Sequence, residues 1–394
     1  MNARNSRRIY CDYNATAPLR PEAREAMSAA VDETGNPSSV HAEGRRARAV
    51  VERARETVAA AIGACRDDIA FVSGGTEAVG AALRGAMAAT GAVLVTSAIE
   101  HDAVTSLAVG AEGGDPGDWP VNAAGVVDLG WLERRVAELK AAGRTPLVSL
   151  MLVNNETGVI QPVAEAAKIV HATGGLIHCD AIQGLGRIEV STFGLDVDYL
   201  SVSAHKIGGP QGAGAFYVKP GAPFRAVQTG GGQEFGRRAG TENVAAIAGF
   251  GAACDAALAG MADYAALAGP REAFEARLKA AAPGLAVHGE AASRVGGVCC
   301  FGVEGLPSET QIMGLDLAGF AVSAGSACSS GKVKPSRVLT AMGLSDTGAR
   351  SAIRASFGWA SRAEDFEALA GAWLKMAARA RPGLVKQEAL ANAS

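Results

Sequence analysis

The sequence predicts an α/β protein in which a mostly parallel sheet is covered by helices on both faces. Two observations carry that reading. Between about residues 40 and 220, short apolar runs alternate with amphipathic segments, and polar, glycine-containing turns follow many of the runs. In order along the chain, Ala47, Val50, Ala54, Val58 and Ile62 recur at helical spacing, with Arg and Glu filling the other positions. Ile69-Ala-Phe-Val72 reads as a short strand, followed by Gly74-Gly75-Thr76 and an Ala-rich helix. Further strands are expected at Ala92-Val-Leu-Val95, Leu147-Val-Ser-Leu-Met-Leu-Val153, Leu176-Ile-His-Cys179 and Tyr199-Leu-Ser-Val202. Helices are expected over 129–142, after the cap Asp128, and over 164–172. A Gly/Arg-rich loop, Gln228-Thr-Gly-Gly-Gly-Gln-Glu-Phe-Gly-Arg-Arg-Ala-Gly240, precedes a helical region over 244–267 that leads towards a second, smaller α/β unit. That unit has a strand at Gly297-Val-Cys-Cys-Phe301 and a last long helix opened by the capping-box pattern Ser361-Arg-Ala-Glu364.

Composition narrows the function classes. With 394 residues the chain has room for two or three domains and for a large buried core. The 50 glycines fall in short clusters, which points to tight turns and close backbone approaches rather than a repeat. A formal net charge of −3 argues against nucleic-acid binding. Arg45, Arg46, Arg48, Arg53 and Arg55 are interleaved with Glu and are expected on a solvated helix face. The first ten residues are polar, unlike a secretory signal, and no run approaches the roughly 18 apolar residues of a membrane span. A cytoplasmic protein is the expectation. Seven cysteines without a Cys-x-x-Cys pair indicate neither a disulfide framework nor a zinc site. Most are expected to be small core residues.

The polar groups cluster after the predicted strands, where ligands sit in such sheets. Lys206, in Ser203-Ala-His-Lys206, is placed to anchor an aldehyde cofactor as a Schiff base, or is a solvated strand-end charge. Asp180, in Asp180-Ala-Ile-Gln183, would hold a proton on a pyridine nitrogen, or cap a helix, or both. Ser73-Gly-Gly-Thr76 offers backbone N–H groups and a hydroxyl to a phosphate, and Ser203 and His205 could add donors. Glu100-His101 and Asn154-Asn-Glu-Thr-Gly158 supply an imidazole able to stack on a flat ring and an amide able to hold a phenolic oxygen.

Taken with Tyr13-Asn-Ala-Thr16, Gly35-Asn-Pro-Ser-Ser-Val-His41, Ser73-Gly-Gly-Thr-Glu77 and Arg238-Ala-Gly-Thr-Glu-Asn243, this ordered set resembles the cysteine desulfurases of the class V aminotransferase family, over nearly the whole chain. The resemblance implies fold type I, a pyridoxal 5′-phosphate (PLP) dependent transferase. It implies a large PLP-binding domain over 13–262 and a small domain made of 1–12 and 263–394, with a catalytic cysteine loop at about 323–335. By the family pattern Lys206 would carry PLP, Asp180 would pair with the ring nitrogen and His101 would stack on the ring. Asn155 and Gln183 would lie near the phenolic oxygen. Gly75, Thr76, Ser203 and His205 would hold the phosphate, and Thr241 would reach the phosphate of the neighbouring subunit of a homodimer with shared active sites.

Cys328 separates this reading from other enzymes of the fold. It lies in Val322-Ser-Ala-Gly-Ser-Ala-Cys-Ser-Ser-Gly331, the one cysteine among small polar residues, and Lys332 and Lys334 nearby would favour the thiolate. The segment resembles the long-loop subgroup, in which this cysteine is the sulfur acceptor. Arg354, in Ser351-Ala-Ile-Arg-Ala-Ser-Phe-Gly358, matches the family arginine that clamps the substrate carboxylate, with Asn155 also near the substrate. The implied reaction converts L-cysteine to L-alanine and passes sulfur through a Cys328 persulfide to an acceptor such as an iron–sulfur scaffold. His101 would move protons, and the chain has no intrinsic metal site, with Cys328 only a transient cluster ligand should a scaffold dock. A selenocysteine lyase or aminotransferase of the same fold is the alternative, which Cys328 disfavours because transamination does not need it. A catalytically silent binding subunit is disfavoured by intact Lys206, Asp180, His101 and Cys328. After the last motif the chain runs shorter than the housekeeping members, which leaves iron–sulfur assembly, tRNA thiolation and a nitrogenase-type pathway open.

Overall fold

A computed structural model of the chain describes residues 8–109, 115–325 and 335–391. Among these residues the strands are, in chain order, β1 (Ile9–Tyr10), β2 (Ile69–Val72), β3 (Val93–Ser97), β4 (Asp115–Trp119), β5 (Pro146–Met151), β6 (Leu176–Asp180), β7 (Tyr199–Ser203), β8 (Gly214–Val218), β9 (Leu285–His288), β10 (Val298–Val303), β11 (Phe320–Ala321), β12 (Ser323–Ala324) and β13 (Ala352–Ser356). Seven of them form one sheet in the order β2-β8-β7-β6-β5-β3-β4. Pairings from β4 across to β7 are parallel, while β8 is antiparallel to both β7 and β2. Two successive antiparallel pairings leave β2 parallel to β7. The carboxyl ends of β2, β3, β5, β6 and β7 therefore share one edge, and the predicted site motifs follow those five strands.

Both faces of this sheet are covered, which explains why its strands read as apolar runs without alternation. Leu147 and Tyr199 pack on one face with Ala78, Leu83 and Phe216. Their chain neighbours Val148 and Leu200 pack on the other with Val51, Val58 and Phe250. The latter cluster continues into the four-stranded antiparallel sheet β12-β13-β10-β9, where Phe274, Phe301, Phe366 and Trp373 meet edge to face. Short β1 pairs with β11 and leads the chain into Asp12 to Thr16 at the carboxyl edge of the large sheet.

The structure corrects several local expectations. In the helix Ala42–Ala61 the buried stripe runs through Ala47, Val51, Ala54 and Val58, so Val51 rather than Val50 faces the core. Arg55 on the same helix is 2% exposed rather than solvated. Its guanidinium makes a bidentate pair with buried Glu234 (2.5 and 2.9 Å) and lies over the rings of Phe71 and Phe235. Cys65 is exposed, whereas Cys11, Cys179, Cys254, Cys299 and Cys300 are buried as expected. The last long helix, Ala363–Ala380, has its capping contact one residue later than the Ser361–Glu364 pattern: Asp365 Oδ2 accepts from the Arg362 N–H (2.9 Å), and Ser361 Oγ serves the Gly358 N–H instead.

The Arg55–Glu234 pair fixes the Gly/Arg-rich loop. Glu234 and Phe235 both hold positive φ (50° and 56°), a conformation costing of order 1–3 kcal/mol per residue unless the surroundings impose it. Glu234 also accepts from the Phe71 N–H (2.8 Å), so the loop is pinned to β2. Removing one partner strands the other charge in the core. Glu234→Ala is expected to lower unfolding free energy by about 3 kcal/mol in chemical denaturation; a loss below roughly 1 kcal/mol would mean the pair is dispensable.

Candidate active site

Each strand of the shared edge delivers one group. After β2, Ser73 to Thr76 turn into the 16-residue helix Gly75–Thr90, whose N-terminal N–H groups face a cavity of about 500 Å³. Its walls include Thr16, Ser73, Gly75, Thr76, His205 and Gly212. A larger cavity, about 950 Å³ between helices Ser308–Leu317 and Ala363–Ala380, shares no lining residue with it and holds none of the groups predicted to react. A Cβ at Gly75 would stand 2.5 Å from Ile182 Cδ1, so a side chain there would have to push that methyl aside. Glu77, in the first turn, accepts from the Ser73 N–H (2.7 Å) and from Arg238 Nε (2.9 Å), which ties the Gly/Arg-rich loop to the rim of the cavity.

After β3 comes fully buried Glu100, whose Oε1 accepts from Ser97 Oγ (2.9 Å) and the Met151 N–H (2.8 Å). Burial pushes this carboxyl up to about 8, so it is largely neutral at pH 7 and locks β3 to β5 directly beneath the next residue, His101. His101 is partly exposed and close enough to Asp180 to favour its charged form. Asp180 ends β6 at 5% exposure. Its Oδ1 accepts from the Ile182 N–H (3.0 Å), a turn contact rather than a helix cap, because a run of turns follows. Burial raises its pKa, and the charges of His101 and Lys206 oppose that rise.

Lys206 follows β7 in a short 3₁₀ turn, Ala204–Lys206. Its Nζ donates to the carbonyl oxygens of Asn14 (2.7 Å) and Ala15 (2.9 Å), so the lysine is not a solvated strand-end charge. Burial first, then the charges of Arg354 and Arg187, pull it down to about 8, against Asp12 and Asp180. Next to it, burial and the Lys206 charge bring His205 down to about 4, leaving a neutral imidazole with Nδ1 3.1 Å from Thr16 Oγ1.

Arg354 is 3% exposed, buried rather than on the surface. Its Nη2 donates to Asp12 Oδ1 (2.7 Å) and its Nη1 to the Asn155 carbonyl (3.0 Å), while Nε is buried without a partner. Asn155 lies beside these groups at the turn after β5, and the Gln183 amide donates to the Asn14 carbonyl (3.0 Å). Thus Lys206, Asp180, Asn155, Gln183, Ser203, His205, Gly75, Thr76, His101 and Arg354 gather at one edge. Thr241 is exposed and is absent from the walls of the cavity. Cys328, with Lys332 and Lys334, falls in 326–334, outside the described residues.

The donor set fits a phosphorylated, flat, basic-ring aldehyde. Ser203 Oγ and Gln183 Oε1 are buried with no partner among the described residues, beside an amine depressed towards neutrality and a buried carboxylate. Sequence reasoning missed three contributors. Asn14 stands inside a recognised motif without an assigned role, Asp12 precedes it, and Arg187 follows Gly186 with no pattern to mark it.

Similarity to known proteins is extensive. The family model "Aminotransferase class-V" matches residues 9–369. The chain is 41% identical over 365 residues to a "Cysteine desulfurase" of Cereibacter sphaeroides, covering 91% of this chain and 92% of that protein. It is 39% identical over 366 residues to "Cysteine desulfurase IscS" of Dictyoglomus turgidum, covering 91% and 92%. Among solved structures, the NifS-like protein from Rickettsia africae superposes with a TM-score of 0.84 at 32% identity, covering 94% of this chain and 99% of that one.

Amine-directed labelling of the cofactor-free protein across pH, read by peptide mass spectrometry, is expected to modify Lys206 with a midpoint near 8. Exposed lysines titrate near 10.4. A Lys206 midpoint at the ordinary value would contradict a half-buried amine depressed by the charges of Arg354 and Arg187.

Proposed function

This chain belongs to the class-V aminotransferase family and is a PLP-dependent cysteine desulfurase, and we propose that Lys206 carries the cofactor and Cys328 receives the sulfur. The observation carrying the assignment is the gathering, at one sheet edge, of a depressed half-buried lysine, a buried aspartate and unpartnered polar atoms beside a helix N-terminus. When bound, PLP supplies an electron sink for the carbanion formed at the substrate Cα.

In this reading Thr76, Ser203, His205 and the N–H groups around Gly75 hold the phosphate. Asp180 keeps a proton on the ring nitrogen, and His101 covers the ring. Asn155 and Gln183 face the phenolic oxygen. Arg354 takes the L-cysteine carboxylate through donors additional to those it gives Asp12 and Asn155. Lys206, pulled down to about 8 and so in part neutral at that pH, takes the Cα proton at Nζ and returns it when alanine forms. The Cys328 thiolate attacks the substrate sulfur. A new S–S bond forms as the C–S bond breaks; the bond's electron pair stays on the substrate Cβ, which takes up a proton, so alanine leaves and a persulfide stays on Cys328, to be passed to an acceptor. His101 moves a proton at that step.

Three features of the setting belong to the same proposal. Thr241, exposed beyond a loop that Arg238 ties to Glu77, supports a homodimer in which each subunit offers Thr241 to its neighbour's phosphate. The chain divides into a large domain, 13–262, and a small one, 1–12 and 263–394, near the break between helices Val244–Ala259 and Met261–Ala266. Delivery of sulfur to an iron–sulfur scaffold in the cytoplasm is the physiological reading; among the described residues no single helix is long and apolar enough to cross a membrane.

The test is alanine and sulfide release from L-cysteine with a thiol reductant. Cys328→Ser is expected to keep the visible absorbance of bound PLP and to lose more than about a thousandfold in turnover. A mutant as active as wild type would remove Cys328 from the reaction. Lys206→Ala is expected to lose turnover and the wild-type cofactor spectrum together.

A further inference from the structure

One residue that the reading above leaves without a role hydrogen-bonds to three of the groups in it, Lys206, Gln183 and Asn155. We propose that Asn14 and Arg187 form a positioning pair for Lys206: Asn14 ties Lys206, Gln183 and Asn155 into one frame, and Arg187 both anchors that frame and places a second positive charge beside the lysine. The proposal rests on Lys206 being the reacting amine.

Asn14 is 2% exposed, and all of its polar groups are used. Its N–H donates to Ser356 Oγ (2.9 Å) on β13. Its carbonyl accepts from Lys206 Nζ (2.7 Å) and from Gln183 Nε2 (3.0 Å). Its side-chain Nδ2 donates to the Asn155 carbonyl (2.8 Å), the same oxygen that Arg354 reaches, and its Oδ1 accepts from Arg187 Nη1 (2.7 Å). An alanine here would leave the Asn155 carbonyl with one donor fewer and release the Arg187 guanidinium.

Arg187 is 6% exposed, and among the described residues its partners are neutral: the Asn14 amide and the ring of Tyr264, 5.6 Å away. A buried cation without a neutralising carboxylate acts at undiminished strength on ionisable neighbours. The groups that face Lys206 are Arg354 and Arg187, which depress it, and Asp12 and Asp180, which raise it; His205 beside it is neutral. Arg354 depresses Lys206 more, but shares its charge with Asp12 at 2.7 Å. Arg187 is thus the cation whose removal changes the balance without disturbing that ion pair.

The experiment compares wild type, Arg187→Met, Arg187→Lys and Asn14→Ala, each freed of cofactor. The pH midpoint of Lys206 acetylation by acetic anhydride is read by peptide mass spectrometry, and cysteine turnover of the reloaded enzymes is followed in parallel. Arg187→Met is expected to raise the Lys206 midpoint by about one unit, and Arg187→Lys to keep it near wild type. Asn14→Ala is expected to move it in the same direction and to reduce turnover about tenfold. Should Arg187→Met fail to fold, Asn14→Ala, which removes only one amide, reads the same midpoint. Unmoved midpoints in the folded variants, even with lowered thermal stability, would leave Asn14 and Arg187 a purely structural role and overturn the proposal. If wild type does not turn over cysteine, the desulfurase reading fails, while the acetylation midpoints still decide this one.

Discussion

A lysine amine in this protein is half-buried within reach of the charges of two guanidinium groups, with its hydrogen bonds going to the main-chain carbonyls of Asn14 and Ala15. A carbonyl stabilises an ammonium less than a carboxylate would, so the charged form is disfavoured by burial and by its neighbours at once. The groups around Lys206 serve that arrangement. Residues 12–16 must reach the sheet edge, which they do because β1 is held by β11 and Asn14 by β13. Arg354 must be buried, which requires the carboxylate of Asp12. Asp180 must lie close enough to balance the cations without pairing directly, which the register of β6 against β7 provides.

The sheet converts sequence order into a site. Five strand ends meet because β8, antiparallel to both neighbours, lets β2 return parallel to the rest and bring the helix N-terminus at Gly75 beside Ser203 and His205. Networks below and beside the site hold these ends. Glu100 fastens β3 to β5 by accepting from Ser97 and Met151. His178, buried and neutral, lies 2.9 Å from both Ser149 and Ser201, linking the middles of β5, β6 and β7. The Arg55–Glu234 pair and the Glu77–Arg238 pair fix the Gly/Arg-rich loop at two points, so Thr241 leaves the fold from a defined place.

Much of this was legible in the sequence because it is local. Apolar runs located the strands, and the motifs after them located the site, since strand ends and turns are set by neighbours in the chain. What was not legible depends on distant partners. Arg55 reads as a solvated helix residue until Glu234, 179 positions away, is folded onto it. Asn14 looks like a turn residue, and its role emerges only when Lys206, Asn155 and the Gln183–Arg187 turn converge on it from three separate segments. The capping box at the last helix slipped because two overlapping patterns competed and Asp365 had the better geometry. The antiparallel β8 carries no sequence sign, as a fully buried strand reads the same in either direction.

Every role assigned at this sheet edge depends on which amine holds the cofactor. Reduction of the PLP-loaded enzyme with borohydride, followed by peptide mapping, would fix the cofactor permanently to its lysine. The adduct is expected on the peptide containing Lys206, with the label lost in Lys206→Ala. An adduct on any other lysine, or spread over several surface lysines, would contradict that assignment and remove the reason for the buried charge balance at this edge of the sheet.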